Sequence, residues 1–308
     1  MKNRVLFAAG TTLIAIATAA CDDSSGSGGA GGATSSTGSS SSKASGSTTG
    51  TTGSTSSTGA TSSSSTGGGT EGKVRVVHLS PGAPAVDFCV IPEGGAAIGP
   101  VLKGLGKTEG LAYPGATPYV SLPTGAYSAR VVAPNAADCS KALANLPDIP
   151  GIQVAADGIY TVAATGVLAP TGQQQPFAVK LYTDDHTVAT GKDSIRFIHT
   201  SPGTPAVDVG TGSAANFTAV WSNVAYGDVG KVANKDYVSV DPLNNATLSA
   251  RATGTTTDAL VINGVTVPAN QVVTVFAIGL LGDNNNPLKA LACLDLSADG
   301  TCLVLPAP

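Results

Sequence analysis

Short apolar runs separated by turn-forming residues dominate the chain from Lys73 onward. Typical runs are KVRVVH, AVDFCV, YSARVV, IYTVAA and FAVKLY, with Gly, Pro, Asn or Asp between them. Runs of this length, rich in Val, Ile, Tyr and Phe, are typical of β-strands. The best helical candidate is the stretch DCSKALANL, from Asp138 to Leu146, and it is only a turn or two long. The pattern therefore predicts an all-β fold.

The runs recur in the same order in two copies. VRVVHLSPGAPAVD begins at Val74 and IRFIHTSPGTPAVD begins at Ile195, and nine of these fourteen positions are identical. Three later segments keep the order: YVSL and YVSV, the two SAR triplets, and IYTVAATG and VVTVFAIG. Each copy has the size of one compact domain. We therefore predict two tandem immunoglobulin-like β-sandwich domains, residues 73–186 and 193–308.

The first twenty residues, 1–20, have the pattern of an export signal. Lys2 and Arg4 precede an apolar run that ends in small residues and is short for a membrane span. Cleavage after an Ala-x-Ala pattern would release a free protein. The TAAC sequence resembles instead the bacterial lipoprotein signal, although Thr18 stands where that signal favours Leu. This resemblance implies that Cys21 is lipidated, becomes the first mature residue and attaches the protein to a membrane.

Residues 21–72 predict a disordered tether. From Asp22 to Gly72 nearly every residue is Ser, Thr, Gly or Ala, and such a segment cannot form a core. A flexible chain of about fifty residues has an end-to-end distance of roughly 40 Å. We expect an inert spacer, and an O-glycosylated stalk is the alternative.

Two of the later cysteines are predicted to pair within the first copy. By the spacing of the copies, the counterparts of Cys89 and Cys139 are Gly210 and Leu260, so the second copy lacks both. Loss or gain as a pair is what bonded partners would do, and an exported protein can hold disulfides. This reasoning predicts the disulfide Cys89–Cys139.

The remaining cysteines, Cys293 and Cys302, are then expected to close a small C-terminal hairpin. Between them, oxygen-bearing side chains stand at alternate positions, as in a calcium loop: Asp295, Ser297 and Asp299. The closing Glu of such a loop would fall at Pro306, so the ligand set is incomplete. We expect a disulfide-closed turn and no metal.

The repeated motif places a histidine at a strand end, followed by Ser-Pro, a glycine turn and an aspartate. In strand geometry Val74, Val76 and His78 point to one face, and Arg75 and Val77 to the other. The histidine therefore ends the core-facing row, and we expect it to bond with the aspartate and the turn amides. A structural role is predicted for His78, Pro81, Asp87, His199, Pro202 and Asp208.

The motif lacks the parts of a catalytic or metal site. Ser80 and Ser201 follow the histidines, but Ser-Pro offers no oxyanion turn. One His and one Asp per copy are too few to bind zinc, and His186 in the segment between the copies is expected to be solvated. Trp221 is expected to be a core residue. We therefore predict no catalytic residue, no cofactor and no enzymatic activity.

The repeated motif resembles a known family. The pattern V-R-x-x-H-x-S-P-x-x-P-A-V-D, followed by SLPTGAYSARVV, is similar to the bacterial domain-of-unknown-function family 4397, from Val74 to about Asp185 and from Ile195 to about Leu296. In the second copy VDPLNNATLSARAT departs from that form, so this hairpin is expected to differ. The resemblance implies exported, often duplicated β-sandwich modules on lipoproteins. The family has no established activity and carries over no catalytic residue.

The charge composition and the predicted export signal limit the functions that the sequence supports. Charged residues are 12% of the chain and the net charge is -4, which argues against nucleic-acid binding. We predict a lipid-anchored envelope protein, at the outer membrane, that binds an envelope polymer or protein. The insertions 91–118, 134–157 and 210–236 are the expected contact loops. A structural spacer or assembly subunit is the alternative; a polymer hydrolase would need a catalytic set in a cleft.

Overall fold

Nearly all of the regular structure of the protein is β-strand, as the apolar runs predict. The computed structural model describes residues 5–6 and 70–305. Apart from Val5–Leu6, the predicted signal peptide, Cys21 and nearly all of the predicted tether lie outside the described residues. The strands are β1 Val5–Leu6, β2 Glu71–His78, β3 Asp87–Pro92, β4 Gly115–Ala116, β5 Val120–Pro123, β6 Gly125–Val132, β7 Ile149–Val154, β8 Ile159–Thr165, β9 Ala178–Thr183, β10 Asp193–His199, β11 Val207–Thr211, β12 Thr218–Val224, β13 Val238–Val240, β14 Ala246–Ala252, β15 Asp258–Thr266, β16 Val272–Ile278, β17 Lys289–Leu294 and β18 Cys302–Leu305.

Helical structure is confined to short turns in the described part of the chain. The helix α1 is Val101–Gly104, and 3₁₀ turns occur at Leu143–Asn145 and Ala214–Asn216. The best sequence candidate, 138–146, thus forms no α-helix. Ala144 has a φ of 50° there, which interrupts a right-handed helix.

The first copy, β2–β9, consists of two sheets. One has the order β4-β2-β8-β9, with β5 also paired to β2, and the other has the order β3-β6-β7. Strands β2 and β8 are parallel, whereas β8 and β9 are antiparallel. The apolar cluster between the two sheets contains Val74, Tyr127, Ile152, Val154, Tyr160 and Val162.

The second copy, β10–β18, repeats this scheme with extra strands. Its sheets have the orders β13-β10-β16-β17-β18 and β1-β15-β14-β11-β12. Strands β10 and β16 are parallel, as β2 and β8 are. Trp221 is 7% exposed within the cluster between the two sheets, so the prediction that it is a core residue is confirmed.

The central strand of each copy is buried on both faces. Every residue of β10 is buried, including Arg196. Parallel strands covered on both sides have near-continuous apolar sequences, which explains why the IRFIH and VRVVH runs do not alternate with polar residues. Val74 and Val76 pack in the first copy's own core, while Val77 packs on the opposite side.

That opposite side is where the two copies meet. A third cluster combines residues of β2, β8 and β9 with residues of β10, β16 and β17: Val77, Leu79, Ala163 and Tyr182 with Ile198, Phe276, Ile278, Leu291 and Cys293. The sheets that contain β2 and β10 therefore pack against each other. We call this shared surface the copy junction. Both copies lie in one compact unit.

Both predicted disulfides are confirmed. Cys89 in β3 is bonded to Cys139 in the loop after β6, and Cys293 in β17 is bonded to Cys302 in β18. The predicted counterpart of Cys139 is wrong, however. Leu260 pairs with Ala250 in the way that Ile149 pairs with Ala129, so Leu260 corresponds to Ile149. Cys139 lies in a longer loop of the first copy that the second copy replaces by a tight turn.

Candidate functional site

The motif histidines are buried and bond to the backbone of the turn that follows. His78 Nε2 lies 3.0 Å from the carbonyl oxygen of Pro84, and the Ser80 amide donates to Nδ1 at 3.4 Å. His199 makes the equivalent contacts in the second copy: its Nε2 lies 3.1 Å from the carbonyl oxygen of Pro205, and the Ser201 amide donates to its Nδ1 at 3.4 Å. An amide that donates to Nδ1 leaves the proton on Nε2, so the ring is neutral and donates to the carbonyl. Burial lowers the pKa of both histidines, which favours this neutral form.

The motif serines attach the turn to the neighbouring parallel strand. Ser80 Oγ donates to the carbonyl of Gly166 at 2.6 Å, just after β8. Ser201 Oγ donates to the carbonyl of Gly279 at 2.7 Å, just after β16. Both serines are fully buried. Their hydroxyl groups therefore stabilise the ends of the central strands.

The motif prolines begin the turns. Pro81 and Pro202 are buried, and each is followed by a glycine with positive φ, 74° at Gly82 and 80° at Gly203. Such backbone angles are accessible to glycine at little cost. The Ser-Pro-Gly order is thus the sequence of a tight turn in both copies.

Asp87 binds a helix terminus. Its carboxylate is fully buried and accepts hydrogen bonds from the backbone amides of Phe88, Leu102 and Lys103, at 2.7, 2.8 and 2.9 Å. The last two amides lie in α1, whose first amides have no partner within the helix. The structure shows no bond between Asp87 and His78, so the expected pairing of these two side chains is wrong.

Asp208, the counterpart of Asp87, holds a different segment. It accepts hydrogen bonds from the Asn223 amide of β12 at 2.8 Å and from the Thr253 hydroxyl at 3.0 Å. Its side chain is half-exposed. The same motif aspartate therefore fixes α1 in one copy and β12 in the other.

The copy junction contains two buried ion pairs, each formed between the copies. Arg75 Nη1 lies 2.8 Å from Asp295 Oδ1, and Arg196 Nη2 lies 2.5 Å from Asp184 Oδ1. The side chains of both pairs are at most 1% exposed. Arg75 and Arg196 occupy the same motif position, and the two aspartates follow β9 and β17. The pairing is thus reciprocal.

Two threonines close the ion pairs into a ring. Arg75 Nε donates to Thr161 Oγ1 at 2.8 Å, and this hydroxyl donates to Asp184 at 2.6 Å. On the other side Arg196 Nε donates to Thr274 Oγ1 at 3.2 Å, and this hydroxyl donates to Asp295 at 2.6 Å. We call this closed set the ion-pair ring: Arg75, Asp295, Thr274, Arg196, Asp184 and Thr161.

Tyr119 and Tyr237 each lie over one arginine of the ion-pair ring. The guanidinium carbon of Arg75 lies 4.8 Å from the ring centre of Tyr119, and that of Arg196 lies 4.7 Å from Tyr237. Tyr119 donates to Asp184 at 2.7 Å. Burial raises the pKa of both tyrosines. Burial opposes the charge of both arginines, but the adjacent carboxylates outweigh it, so the pKa of each guanidinium is raised.

Each charge of the ion-pair ring depends on its partner in the other copy. Removing one partner of a buried ion pair leaves an uncompensated charge and costs about 3–5 kcal/mol, whereas apolar replacement of both can be neutral. Arg75 Nη2 has no hydrogen-bond partner, so the ring is not fully satisfied. These properties suit an interface that specifies one arrangement of the copies.

Sequence reasoning missed the ring. Arg75 was placed on the face opposite the core, and Asp295 was considered only as part of a calcium-like loop. The available signal was an arginine inside an apolar run, repeated at the same position as Arg196. A charged residue flanked by buried strand positions needs a partner, but nothing in the sequence identifies that partner.

His186 is not solvated as expected. It is half-buried and packs edge-on against Tyr119, with ring centres 5.0 Å apart. Burial lowers its pKa. The segment between the copies therefore contacts the edge of the ion-pair ring through this residue.

Metal-ligating side chains do not cluster within residues 70–305. No group of three or more His, Cys, Asp or Glu side chains in this part could hold a metal ion. In the calcium-like stretch, Asp299 accepts hydrogen bonds from Ser297 and Thr301. No helix among the described residues is long and apolar enough to cross a membrane.

An open cleft lies where loops of the two copies meet. Its volume is about 590 Å³, and its lining comes from the loop after β8, the second motif turn and the segment after β12: Gln173, Gln175, Gly203, Thr204, Pro205, Ala206, Ala225 and Tyr226. The Gly203 amide donates to Gln175 Oε1 at 2.7 Å across the cleft floor. None of the lining side chains is charged. The predicted contact ranges included only Ala225 and Tyr226.

Comparison with known proteins gives a family match and distant structural neighbours. No curated protein matches the sequence. The Bacillus anthracis TIE protein is 11% identical with a TM-score of 0.21, and the match covers 68% of this chain but only 34% of that protein. A protein from Bacteroides fragilis, described as a candidate for cell adhesion, is 11% identical with a TM-score of 0.17, over 71% of this chain and 96% of that one. Residues 72–210 match the family described as Domain of unknown function (DUF4397), which supports the resemblance read from the motif.

Proposed function

We propose that the protein is a non-enzymatic binding or adhesion protein of the cell envelope. In this proposal Cys21 carries the lipid, residues 22–70 form the tether that ends where β2 begins at Glu71, and two immunoglobulin-like sandwiches form one head at the outer membrane. Two disulfides support an oxidising compartment. The copy junction would make the two copies move as one body on the tether.

The cleft between the copies carries this proposal. It is built by loops of both copies, and its lining combines two side-chain amides, a threonine hydroxyl, a proline and a tyrosine, without a charged side chain. Binding sites typically combine apolar and aromatic walls with a few polar groups that orient the ligand. The lining of this cleft suits a neutral polymer, such as a glycan strand, better than a charged one.

The groups that a hydrolase would need are engaged elsewhere. The motif serines donate to backbone carbonyls, and the motif histidines bond to the turn. Asp184 and Asp295 are buried in the ion-pair ring. Catalysis by nucleophile and base requires such groups in one accessible cleft. Their placement supports binding without turnover.

The test is binding of the mature protein to envelope polysaccharide fractions. We expect Gln173→Ala and Tyr226→Ala to weaken binding, since both remove side chains that line the cleft. Gln153→Ala is the matched control, because Gln153 is exposed on β7 away from the cleft. Equal binding by all variants, or release of cleaved sugars, would contradict the proposal.

The proposed lipid anchor at Cys21 has its own test. Mass spectrometry of detergent-extracted protein should show acyl chains on Cys21, and Cys21→Ala should release the protein from membranes. An unmodified mature chain that begins elsewhere would remove the anchor from the proposal. The binding activity of the head would then be judged separately.

A structural spacer is the second candidate. The observation that favours it is the copy junction, because reciprocal buried ion pairs fix one copy against the other. Concentration-dependent assembly of the mature protein, together with no binding to any polymer fraction, would support this function.

A further inference from the structure

The copy junction has the construction of a symmetric dimer interface. Each copy contributes an arginine from its central strand, a threonine from the parallel neighbour and an aspartate after the next strand. Each arginine pairs with the aspartate of the other copy. Reciprocal use of equivalent residues is the signature of an isologous, two-fold interface. The charges that the two copies bring to the junction are therefore complementary.

The segment that links the copies touches the edge of this interface through His186, which packs against Tyr119, but much of the segment is exposed. Residues Asp185, Thr187, Ala189 and Thr190 are exposed. The Gly191 amide bonds to Asn270 within the second copy's surface. The contacts that join the copies instead come from the ion-pair ring, the shared cluster and the loops.

The junction also distinguishes the two copies. Tyr182 of the first copy donates its hydroxyl to the Gly227 carbonyl of the second copy at 3.1 Å. The counterpart of Tyr182 is Cys293, whose sulfur is bonded to Cys302 and has no hydroxyl to offer. Gly300 of the second copy comes so close to the first that a Cβ would lie 2.7 Å from the backbone nitrogen of Pro118. These contacts are made by one copy and not by its counterpart, so the two faces are equivalent in the ion-pair ring but not beside it.

We propose that the copy junction is a self-sufficient recognition surface whose partner is the other copy of this fold, on the same chain or on another molecule of this protein. The link 185–192 then acts by raising the effective concentration of the two copies. This step rests on the proposed function: the lipid tether would hold heads close together at a membrane surface, where they could exchange copies through the same interface. Exchange of identical elements is a common route from monomer to dimer.

The first test cuts the link in the otherwise complete protein. A protease recognition sequence is inserted between Ala189 and Thr190, and the cut sample is studied by size-exclusion chromatography and native mass spectrometry. We expect the two fragments to elute together at the position of the uncut protein. High salt should not separate them, because buried ion pairs are little screened. Trp221, the sole tryptophan, reports whether the second copy stays folded. Separate fragments with a native Trp221 signal would overturn the proposal.

The second test removes one charge of the ring. Arg75→Met in the cut protein should weaken association of the fragments at least about a hundredfold, because Asp295 loses its buried partner. The matched control is Arg130→Met, which breaks an ion pair with Asp148 inside the first copy and should leave association unchanged. If Arg75→Met prevents folding, Tyr182→Phe removes a single bond between the copies and should accelerate dissociation. Unchanged association in both junction variants would overturn the proposal.

The third test addresses recognition between molecules. Two cut samples that carry different affinity tags are mixed, and hybrid pairs are sought after capture on one tag. We expect a first-copy fragment from one sample to pair with a second-copy fragment from the other. Hybrids made of two first copies would contradict the stated preference, and absence of any hybrid after mild denaturation and refolding would contradict recognition in trans.

Discussion

The two copies share a central frame and differ at the edge that carries the motif aspartate. In the first copy, β3 is an edge strand fastened by Cys89–Cys139, and Asp87 binds the helix α1. In the second copy β12 pairs along the corresponding strand β11, and a Cβ at Gly210 would lie 1.9 Å from the Thr218 carbonyl oxygen. In the second copy, strand β12 thus supports the edge that the Cys89–Cys139 disulfide supports in the first copy. Both are ways to secure an exposed sheet edge.

The hairpin beside that edge also shifts between the copies. Arg130 lies opposite Cys89, whereas Arg251 lies opposite Asp208. Since Asp208 corresponds to Asp87, the two SAR triplets differ by two residues in their register against the edge strand. A shift of two keeps every side chain on its face, which a shift of one would not. Both arginines therefore still bind an aspartate next to the following strand, Asp148 or Asp258.

The largest expected loss of stability concerns the arginines of the ion-pair ring, which stand at the same position in both copies. Arg75→Ala and Arg196→Ala should each lower the free energy of unfolding by about 3–5 kcal/mol, since each leaves a buried aspartate unpaired. Denaturant titration followed by circular dichroism measures this loss. Arg130→Ala, which breaks an exposed pair, should cost far less, because solvent screens exposed ion pairs. A loss confined to one of the two junction variants would show that the ring is not symmetric in energy.

The next effect tests the disulfide that distinguishes the copies. Cys89→Ser together with Cys139→Ser should lower the free energy of unfolding by about 4 kcal/mol, because the chain-entropy model scales with the enclosed loop. The corresponding double variant at Cys293 and Cys302 should cost about 2.5 kcal/mol, since its loop is shorter. Calorimetry of both variants gives the ranking. A reversed order would mean that β3 needs no covalent support.

A smaller difference is expected at the motif aspartates. Asp87→Ala should cost about 3 kcal/mol or more, because it leaves buried backbone amides without an acceptor. Asp208→Ala should cost about 1 kcal/mol, since its side chain is half-exposed and water can replace its bonds. Melting curves of the two variants compare these costs directly. Equal losses would show that α1 contributes no more than β12 to its copy.

The smallest expected effect on stability concerns His78 and His199, and it should be similar in the two copies. Above their ordinary pKa of 6.5 the rings are neutral in both folded and unfolded chains, so their contribution to stability is complete. Below this pH the unfolded chain binds protons that the folded chain excludes, because burial lowers the folded pKa. The free energy of unfolding should fall until the folded pKa is reached. His78→Gln and His199→Gln should each reduce this pH dependence by a similar amount, and a change in only one variant would break the symmetry.

Much of the fold could be predicted because it depends on local patterns. Strand-length apolar runs, turn residues between them and the paired absence of cysteines in one copy led to the all-β fold and to both disulfides. The pairing of His78 with Asp87 could not be predicted correctly. Two of the three partners of Asp87 are amides of α1, which the chain reaches only after an irregular loop. The counterpart of Cys139 was missed because spacing alone does not reveal where a loop has been lengthened.

Local sequence was enough to predict the strands, the turns, the similar order of strands in the two copies and the disulfides, because each depends on residues close in the chain or on a recurring pattern. Tertiary structure decided what lies on the second face of the central strands. Arg75 and Asp184 belong to one copy, and each finds its ion-pair partner in the other copy. The cleft has the same origin, since Gln175 and Gly203 meet only after the copies pack together. Contacts between elements far apart in sequence depend on the packing of whole sheets, and no local pattern of residues specifies that packing.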